Sequence, residues 1–257
     1  MSDQNDQAVP EAHRCAFFFD VDGTLAEIQP RPELVFIPPA SQAALQRLHA
    51  RGVALAVISG RPLAQLDALL APLRLPAAGV HGAERRDARG ELRNLELDGA
   101  RLARVRDELE QACRAHAGLQ LEDKGVAFAL HFRQAPQLEP IARRLAEDFA
   151  ARHAELLSLQ PGKCVFELKP RGASKGEVIR AFMDEAPFRG RLPVFLGDDL
   201  TDEAGFAVVN ALGGRSIKVG DGPSEARERL ASVAAVGAWL QALLARGEPD
   251  GSITTQD

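Results

Sequence analysis

Cysteine is scarce in this chain of 257 residues, and the three present, Cys15, Cys113 and Cys164, are odd in number and far apart. None falls in a CxxC or Cys/His spacing, which argues against a disulfide framework or a zinc site and for reduced thiols in a cytoplasmic protein. No basic patch stands out against the net charge of −5, so nucleic acid and anionic membrane surfaces are poor partners. No apolar run is long enough to cross a bilayer. Residues 1–11 contain no apolar stretch of the kind a signal peptide needs, so 1–12 reads as a flexible tail, as does 247–257. Repeats and low-complexity segments are absent as well.

What remains is a soluble composition, 46% hydrophobic and 26% charged, on a chain longer than the usual single domain. Two modules are expected. The continuous apolar run 15–19 predicts a parallel strand buried on both faces, with Phe17, Phe18, Phe19 and the distant Trp239 in the core. A helix over 41–51, closed by Gly52, leads to a second buried strand over 53–58, and Pro62 suits the first turn of the next helix, with Leu63, Leu66, Leu69 and Leu70 on one face. The texture then changes. A hairpin is predicted over 80–97, then helix 101–116, strands 119–123 and 126–133, helix 138–152, and strands 156–160 and 164–169. Doubled strands with short turns imply an antiparallel sheet covered by helices on one side. From 170 the βα alternation resumes: Ser174 and Glu177 are spaced as a capping box, 193–196 is a buried strand, Thr201 and Asp202 start a helix, and 216–219 is a further strand. The boundaries follow as 13–98 with 170–246 for an α/β core, and 99–169 for an inserted α+β module.

Ligands in an open parallel sheet bind beyond the carboxyl ends of the strands. Three strands here end in polar clusters: Asp20 and Asp22; Ser59, Gly60 and Arg61; Asp198, Asp199, Thr201 and Asp202. Neighbouring strands would bring five carboxylates, a hydroxyl and the Lys175 ammonium to one crevice. Carboxylates so crowded repel one another, and magnesium, a hard cation that takes one or two carboxylates plus phosphate oxygens, fits the compensation needed. In an extended chain Asp20 and Asp22 point to the same side, so one can attack phosphorus while the other manages protons. Gly23 and Thr24 permit a tight turn with free amides around phosphate. Ser59 and Lys175 would hold the remaining phosphoryl oxygens.

Each feature also has a structural alternative. The carboxylates could end a strand or form a solvated turn. Lys175 could merely follow the Ser174 cap, Ser59 could cap the helix begun by Pro62, and His81 could be a turn histidine. Glu122, Lys124, Arg133 and Glu167 could be exposed ends of alternating strands, and the charged stretch 101–111 a solvated face.

Taken together, "DVDGTL" at 20–25, Ser59, Lys175-Gly176 and "GDDLTD" at 197–202 resemble the four ordered motifs of the haloacid dehalogenase-like phosphatases, across nearly the whole chain. That resemblance implies a Rossmann-like core with a mostly parallel sheet and an inserted cap of the C2B kind. Within the superfamily, "VISGRP" at 57–62, "GVHGAERR" at 79–86, "HFR" at 131–133 and "FELKPRGASKGEVI" at 166–179 are similar to the trehalose-phosphatase family. The similarity implies Asp20 as nucleophile and Asp22 as general acid and base. It implies magnesium held by the Asp20 carboxylate, the Asp22 carbonyl and Asp198, with Asp199 and Asp202 supporting or possible ligands. Gly60, Arg61 and His81, with the cap residues Glu122, Lys124, His131, Arg133 and Glu167, become candidates for binding a small-molecule sugar phosphate, trehalose 6-phosphate. Protein partners stay unassigned. Two rivals stay open: a capped phosphatase for sucrose phosphate, mannosyl-3-phosphoglycerate or a hexose phosphate, and a non-catalytic sugar-phosphate-binding regulator.

Overall fold

The structure, a computed structural model, describes residues 10–246. The tail reading of 247–257 and of 1–9 lies outside the described residues, whereas Ala12, counted with the tail, is buried and opens a short 3-10 turn. In chain order the elements are β1 (Cys15–Phe19), α1 (Pro39–Ala50), β2 (Ala54–Ile58), α2 (Leu63–Leu70), β3 (Ala77–Gly79), β4 (Glu84–Arg86) and β5 (Leu92–Asn94). Then come α3 (Gly99–Arg114), β6 (Gln120–Asp123), β7 (Phe128–His131), α4 (Glu139–Arg152), β8 (Leu157–Gly162) and β9 (Val165–Pro170). The remainder is α5 (Lys175–Met183), β10 (Leu192–Gly197), α6 (Glu203–Ala211), β11 (Arg215–Val219), β12 (Glu228–Leu230) and α7 (Val233–Ala245).

Eight strands form the larger sheet in the order β12-β11-β10-β1-β2-β3-β4-β5, parallel from β12 to β3 and antiparallel over the last two pairs. The fold is mixed α/β with a mostly parallel central sheet. β1 lies in the middle, which is why every one of its residues is buried. Phe17 and Phe19 point to the layer of α1, α2 and α7, where Phe17 meets Trp239 edge-on at 5.9 Å between ring centroids. Phe18 faces the α5 and α6 layer and stacks on Phe182 and Phe188 at 6.0 and 5.5 Å.

β6, β7, β9 and β8 form a separate antiparallel sheet, in that order. Its Phe128, Leu130, Phe166 and Leu168 pack with Leu102, Val105 and Leu109 of α3 and Ala142, Ala146 and Phe149 of α4. Side chains alternate across a strand, so the row Glu122, Ala129, Glu167 and Gln160, aligned by register, lies on the opposite face. The charged stretch 101–111 keeps an apolar stripe through Leu102, Val105 and Leu109 against this core.

Several local expectations need correction. The hairpin is shorter than 80–97 and extends the larger sheet beyond β3, a strand the apolar pattern did not separate. Val80 and His81 have φ of 47° and 56°, left-handed values that no strand accommodates. Ser174 does cap α5, but through Gly176 N–H at 3.2 Å, while Glu177 takes no part in a box and lies 3.7 Å from Arg180. The reciprocal box forms instead between Asp199, which accepts from Thr201 N–H at 2.8 Å, and Asp202, which accepts from Asp199 N–H at 3.0 Å. β12 was not anticipated. Among the described residues, no helix is long and apolar enough to cross a membrane.

Replacing Phe18 by alanine deletes a fully buried ring with two aromatic neighbours, and is expected to lower the unfolding free energy by about 3–5 kcal/mol. Urea denaturation monitored at Trp239 measures it; a loss below about 1 kcal/mol would contradict this packing.

Candidate active site

The parallel register decides what meets at the sheet's carboxyl edge. Phe19 pairs with Leu196 on one side and Val57 on the other, so the segments after β1, β10 and β2 emerge together. Asp20 N–H still donates to Leu196 O at 2.9 Å, which aims its carboxylate out of the strand. Asp20, Asp198 and Asp202 bring one carboxylate oxygen each within 4.8 Å of one another. The Lys175 ammonium, carried at the first position of α5, joins two of them: Nζ is 2.9 Å from Asp20 Oδ1 and 2.6 Å from Asp202 Oδ1. Asp202 Oδ2 accepts the amides of Asp198 and Asp199 at 2.9 and 3.0 Å. Lys218, from β11, donates to the Asp198 carbonyl.

The ammonium groups of Lys175 and Lys218 do not neutralise four carboxylates, Asp20, Asp198, Asp199 and Asp202. Burial pushes the Asp20 carboxyl up, and the neighbouring acids add to that against the pull of Lys175. Burial, then Asp199 and Asp202, push Asp198 up to about 7. Burial would lower Lys175, but Asp20 and Asp202 outweigh it and hold the ammonium well above its ordinary value. Asp199 ends below its ordinary value because Lys175 and the Thr201 bonds overcome its burial. A hard dication fits such a donor set: oxygen ligands only, close together, with excess negative charge. Asp202 fits it least, since both its oxygens are already taken by Lys175 and the two amides.

Asp22 is not in that cluster. Its carboxylate faces the same cavity but is clamped by Arg61, whose Nε and a terminal nitrogen donate at 2.6 and 2.7 Å. Ser59, nearly inaccessible, accepts from Arg61 N–H at 3.2 Å, so it braces the loop while facing the cavity. Gly23 and Thr24 require a correction. Their amides are engaged within the turn, donating to Ala26 O at 2.7 Å and Val21 O at 3.2 Å, and are not free for phosphate. Gly23 serves by being small: its φ is +81°, and a Cβ there would lie 2.0 Å from Asp198 Oδ2. Thr24 is fully buried behind it.

The cavity in front of these groups is about 400 Å³, within the ordinary range for a small-ligand site. Its far wall is the polar face of the four-stranded sheet, including Glu122, Lys124, His131, Arg133 and Glu167. Glu122 accepts from His131 at 2.9 Å, and exposed Arg133 donates to Lys163 O at 3.3 Å. Glu167 bonds His81 at 2.9 Å and Lys124 at 3.0 Å, and Lys124 also donates to Gly60 O at 3.1 Å. The sequence reading missed the loop 28–32, Gln65 and the β8–β9 tip from Gln160 to Lys163, all in the cavity wall. The local signals were slight: Gly162, which ends β8, and Lys163, which starts the turn to β9.

A family model described as trehalose-phosphatase matches residues 18–235. The chain is 54% identical over 227 residues, 88% of its length and 85% of the relative's, to trehalose-6-phosphate phosphatase of Escherichia coli strain K12. In fold it is similar to the C-terminal domain of the C. albicans trehalose-6-phosphate phosphatase (TM-score 0.81, 24% identity, 91% and 93% of the chains). A haloacid dehalogenase-like hydrolase from B. subtilis shares the fold as well (TM-score 0.63, 16% identity, 90% and 99%).

Burial alone would raise the Glu167 carboxyl, but His81 and Lys124 hold it far below its ordinary value. A depressed folded value means a stability contribution that is full above the unfolded value of about 4.3 and lost as pH falls toward the folded one. Wild type should therefore exceed Glu167→Gln in unfolding free energy at pH 7, and the gap should shrink below about pH 4.3. Denaturant titrations at pH 7, 5 and 3.5 measure the gap; one that widens on acidification has the wrong sign.

Proposed function

The chain belongs to the trehalose-phosphatase family, and on that footing we propose that it hydrolyses trehalose 6-phosphate to trehalose and phosphate through an aspartyl-phosphate on Asp20. The observation that carries the scheme is Asp20 held 2.9 Å from Lys175 at the floor of a cavity whose opposite wall is polar and sugar-sized. An Asp20 oxygen forms a bond to phosphorus as the bond from phosphorus to the sugar oxygen breaks. Asp22 gives its proton to that departing oxygen. Asp22 then takes a proton from water as the water oxygen bonds to phosphorus, the bond to Asp20 breaks, and phosphate leaves with Asp20 restored. The Arg61 clamp occupies both Asp22 oxygens and suits its role as base; as acid, Asp22 has one oxygen released from the clamp to carry the proton, and Lys175 and Ser59 offset charge on the phosphoryl oxygens.

Asp20, Asp198 and the Asp22 carbonyl are the proposed magnesium ligands, and the ion, when bound, supplies neutralising charge to the phosphoryl group. Asp202 orients Asp198 and Lys175 from behind, and Asp199 caps the loop. Residues 99–169 act in this reading as a cap over the core of 13–98 and 170–246, with Glu122, Lys124, His131, Arg133 and Glu167 meeting the sugar. Closure of the cap would exclude bulk water during transfer. A cytoplasmic location suits the unpaired cysteines.

With magnesium, phosphate release from trehalose 6-phosphate is expected to be much faster than from sucrose 6-phosphate or glucose 6-phosphate. Equal rates on all three would overturn the substrate and leave the chemistry. Asp20→Asn should lose about 10³-fold or more in kcat while still binding the sugar phosphate. A wild type that binds but releases no phosphate would make this a binding protein instead. Without substrate, millimolar magnesium should raise the thermal midpoint of wild type but not of Asp198→Asn; an equal rise in both would remove Asp198 from the ligand set.

A further inference from the structure

His81 lies in the site, yet the reaction as drawn gives it no task. It sits on the turn after β3, where Val80 and His81 take φ of 47° and 56° in succession. For a β-branched valine this is a true outlier, and such strain persists only where the surroundings over-determine it. Here they do. Val80 N–H donates to Arg61 O at 3.0 Å and His81 N–H to Ser59 O at 2.9 Å, so the turn is strapped to the loop 59–61 on the phosphate side of the cavity. Gly60 leaves room for the ring, since a Cβ there would stand 2.7 Å from His81 Nε2.

The ring, in a residue only 4% exposed, bonds away from its own sheet. Its Nε2 is 2.9 Å from Glu167 Oε2 on β9, and its buried Nδ1 has no protein partner. An ionised carboxylate only accepts, so Nε2 carries the proton and donates. The imidazole's polar contact is thus entirely with the other sheet. A histidine present for local structure would be satisfied locally. The second oxygen of Glu167 accepts from Lys124, and Lys124 reaches back to Gly60 O, which closes a circuit between the two halves.

We infer that His81 is a positioning residue for substrate selection: donating from the turn bound to loop 59–61, it fixes the Glu167 carboxylate, and through it Lys124, where the cap meets the sugar. The distance from phosphate to sugar is then set by one rigid piece of backbone, because Ser59 and the support of His81 belong to the same strapped loop and turn. The inference rests on the reading that the cap row recognises the sugar.

The test compares steady-state kinetics on trehalose 6-phosphate and on p-nitrophenyl phosphate, which has no sugar, for wild type, His81→Asn, His81→Gln, Glu167→Gln and the double variant His81→Asn with Glu167→Gln. Asparagine tolerates the left-handed backbone and is too short to reach Glu167, whereas glutamine keeps a donor near the position of Nε2. His81→Asn should raise KM for trehalose 6-phosphate about tenfold or more, with a smaller fall in kcat and an effect on p-nitrophenyl phosphate at least about fivefold weaker. His81→Gln should recover most of that loss. The double variant should be no worse than the worse single one, since both act through one carboxylate. Equal losses on the two substrates, no rescue by glutamine, or multiplying effects in the double variant would each overturn the inference. A wild type that does not prefer trehalose 6-phosphate would overturn the proposed function itself; a wild type that prefers it, with a His81→Asn that prefers it equally, overturns only the role of His81.

Discussion

The Lys175 ammonium, buried between Asp20 and Asp202, is the contact on which the rest of the site depends. Three carboxylates are crowded at the end of a sheet, Asp20 and Asp202 buried and Asp198 half-buried, and a buried charge without a partner is among the most destabilising features a protein can carry. The fold meets that constraint with backbone. Lys175 follows a serine cap, so the first turn of α5 sets its position, and Gly176 lets α5 approach α6 until a Cβ would stand 2.5 Å from Ala204 O. Gly197, whose Cβ would fall 2.3 Å from Asp202 Cγ, makes the same concession on the other side. The glycines beside the acidic motifs are therefore part of the electrostatics: they let the charges come close enough to compensate one another.

Much of this was legible in the sequence because it depends on local rules. Apolar runs that stop abruptly at acids mark strands entering from a core, and parallel pairing then forces Asp20, Ser59 and Asp198 together. The doubled strands between the two βα stretches likewise foretold a second, antiparallel sheet. What stayed hidden depended on tertiary contact. Nothing local distinguishes Asp22 clamped by Arg61 from Asp22 in the acid cluster. The amides of Gly23 and Thr24 looked available until the chain folded back to Ala26 and Val21. Spacing points to a capping box at Ser174 and Glu177 and to a helix start at Thr201 and Asp202, while the box that forms pairs Asp202 with Asp199. The strained turn at Val80 and His81 and the loop 28–32 carried no periodicity to read.

The two sheets offer the cavity different chemistry. The sheet edge of the core presents a compact cluster suited to a phosphoryl group, held by β1, β2, β10 and the start of α5. The four-stranded sheet presents Glu122, Glu167 and Gln160 in one row across β6, β9 and β8, hydrogen-bonding groups suited to hydroxyls. The circuit of His81, Glu167, Lys124 and Gly60 is one place where these surfaces touch, and the open cavity lies beside it.

The four-stranded sheet is at once a wall of the cavity and part of a hydrophobic core, with the two duties assigned to alternate residues along each strand. Glu167 is the exception to that separation, since it also holds His81 and Lys124. Glu122 and Gln160 line the cavity, while Phe128, Leu130, Phe166 and Leu168 on the other face hold the hydrophobic core. A two-residue period thus lets one thin layer of backbone serve as a polar wall and as the support of a core.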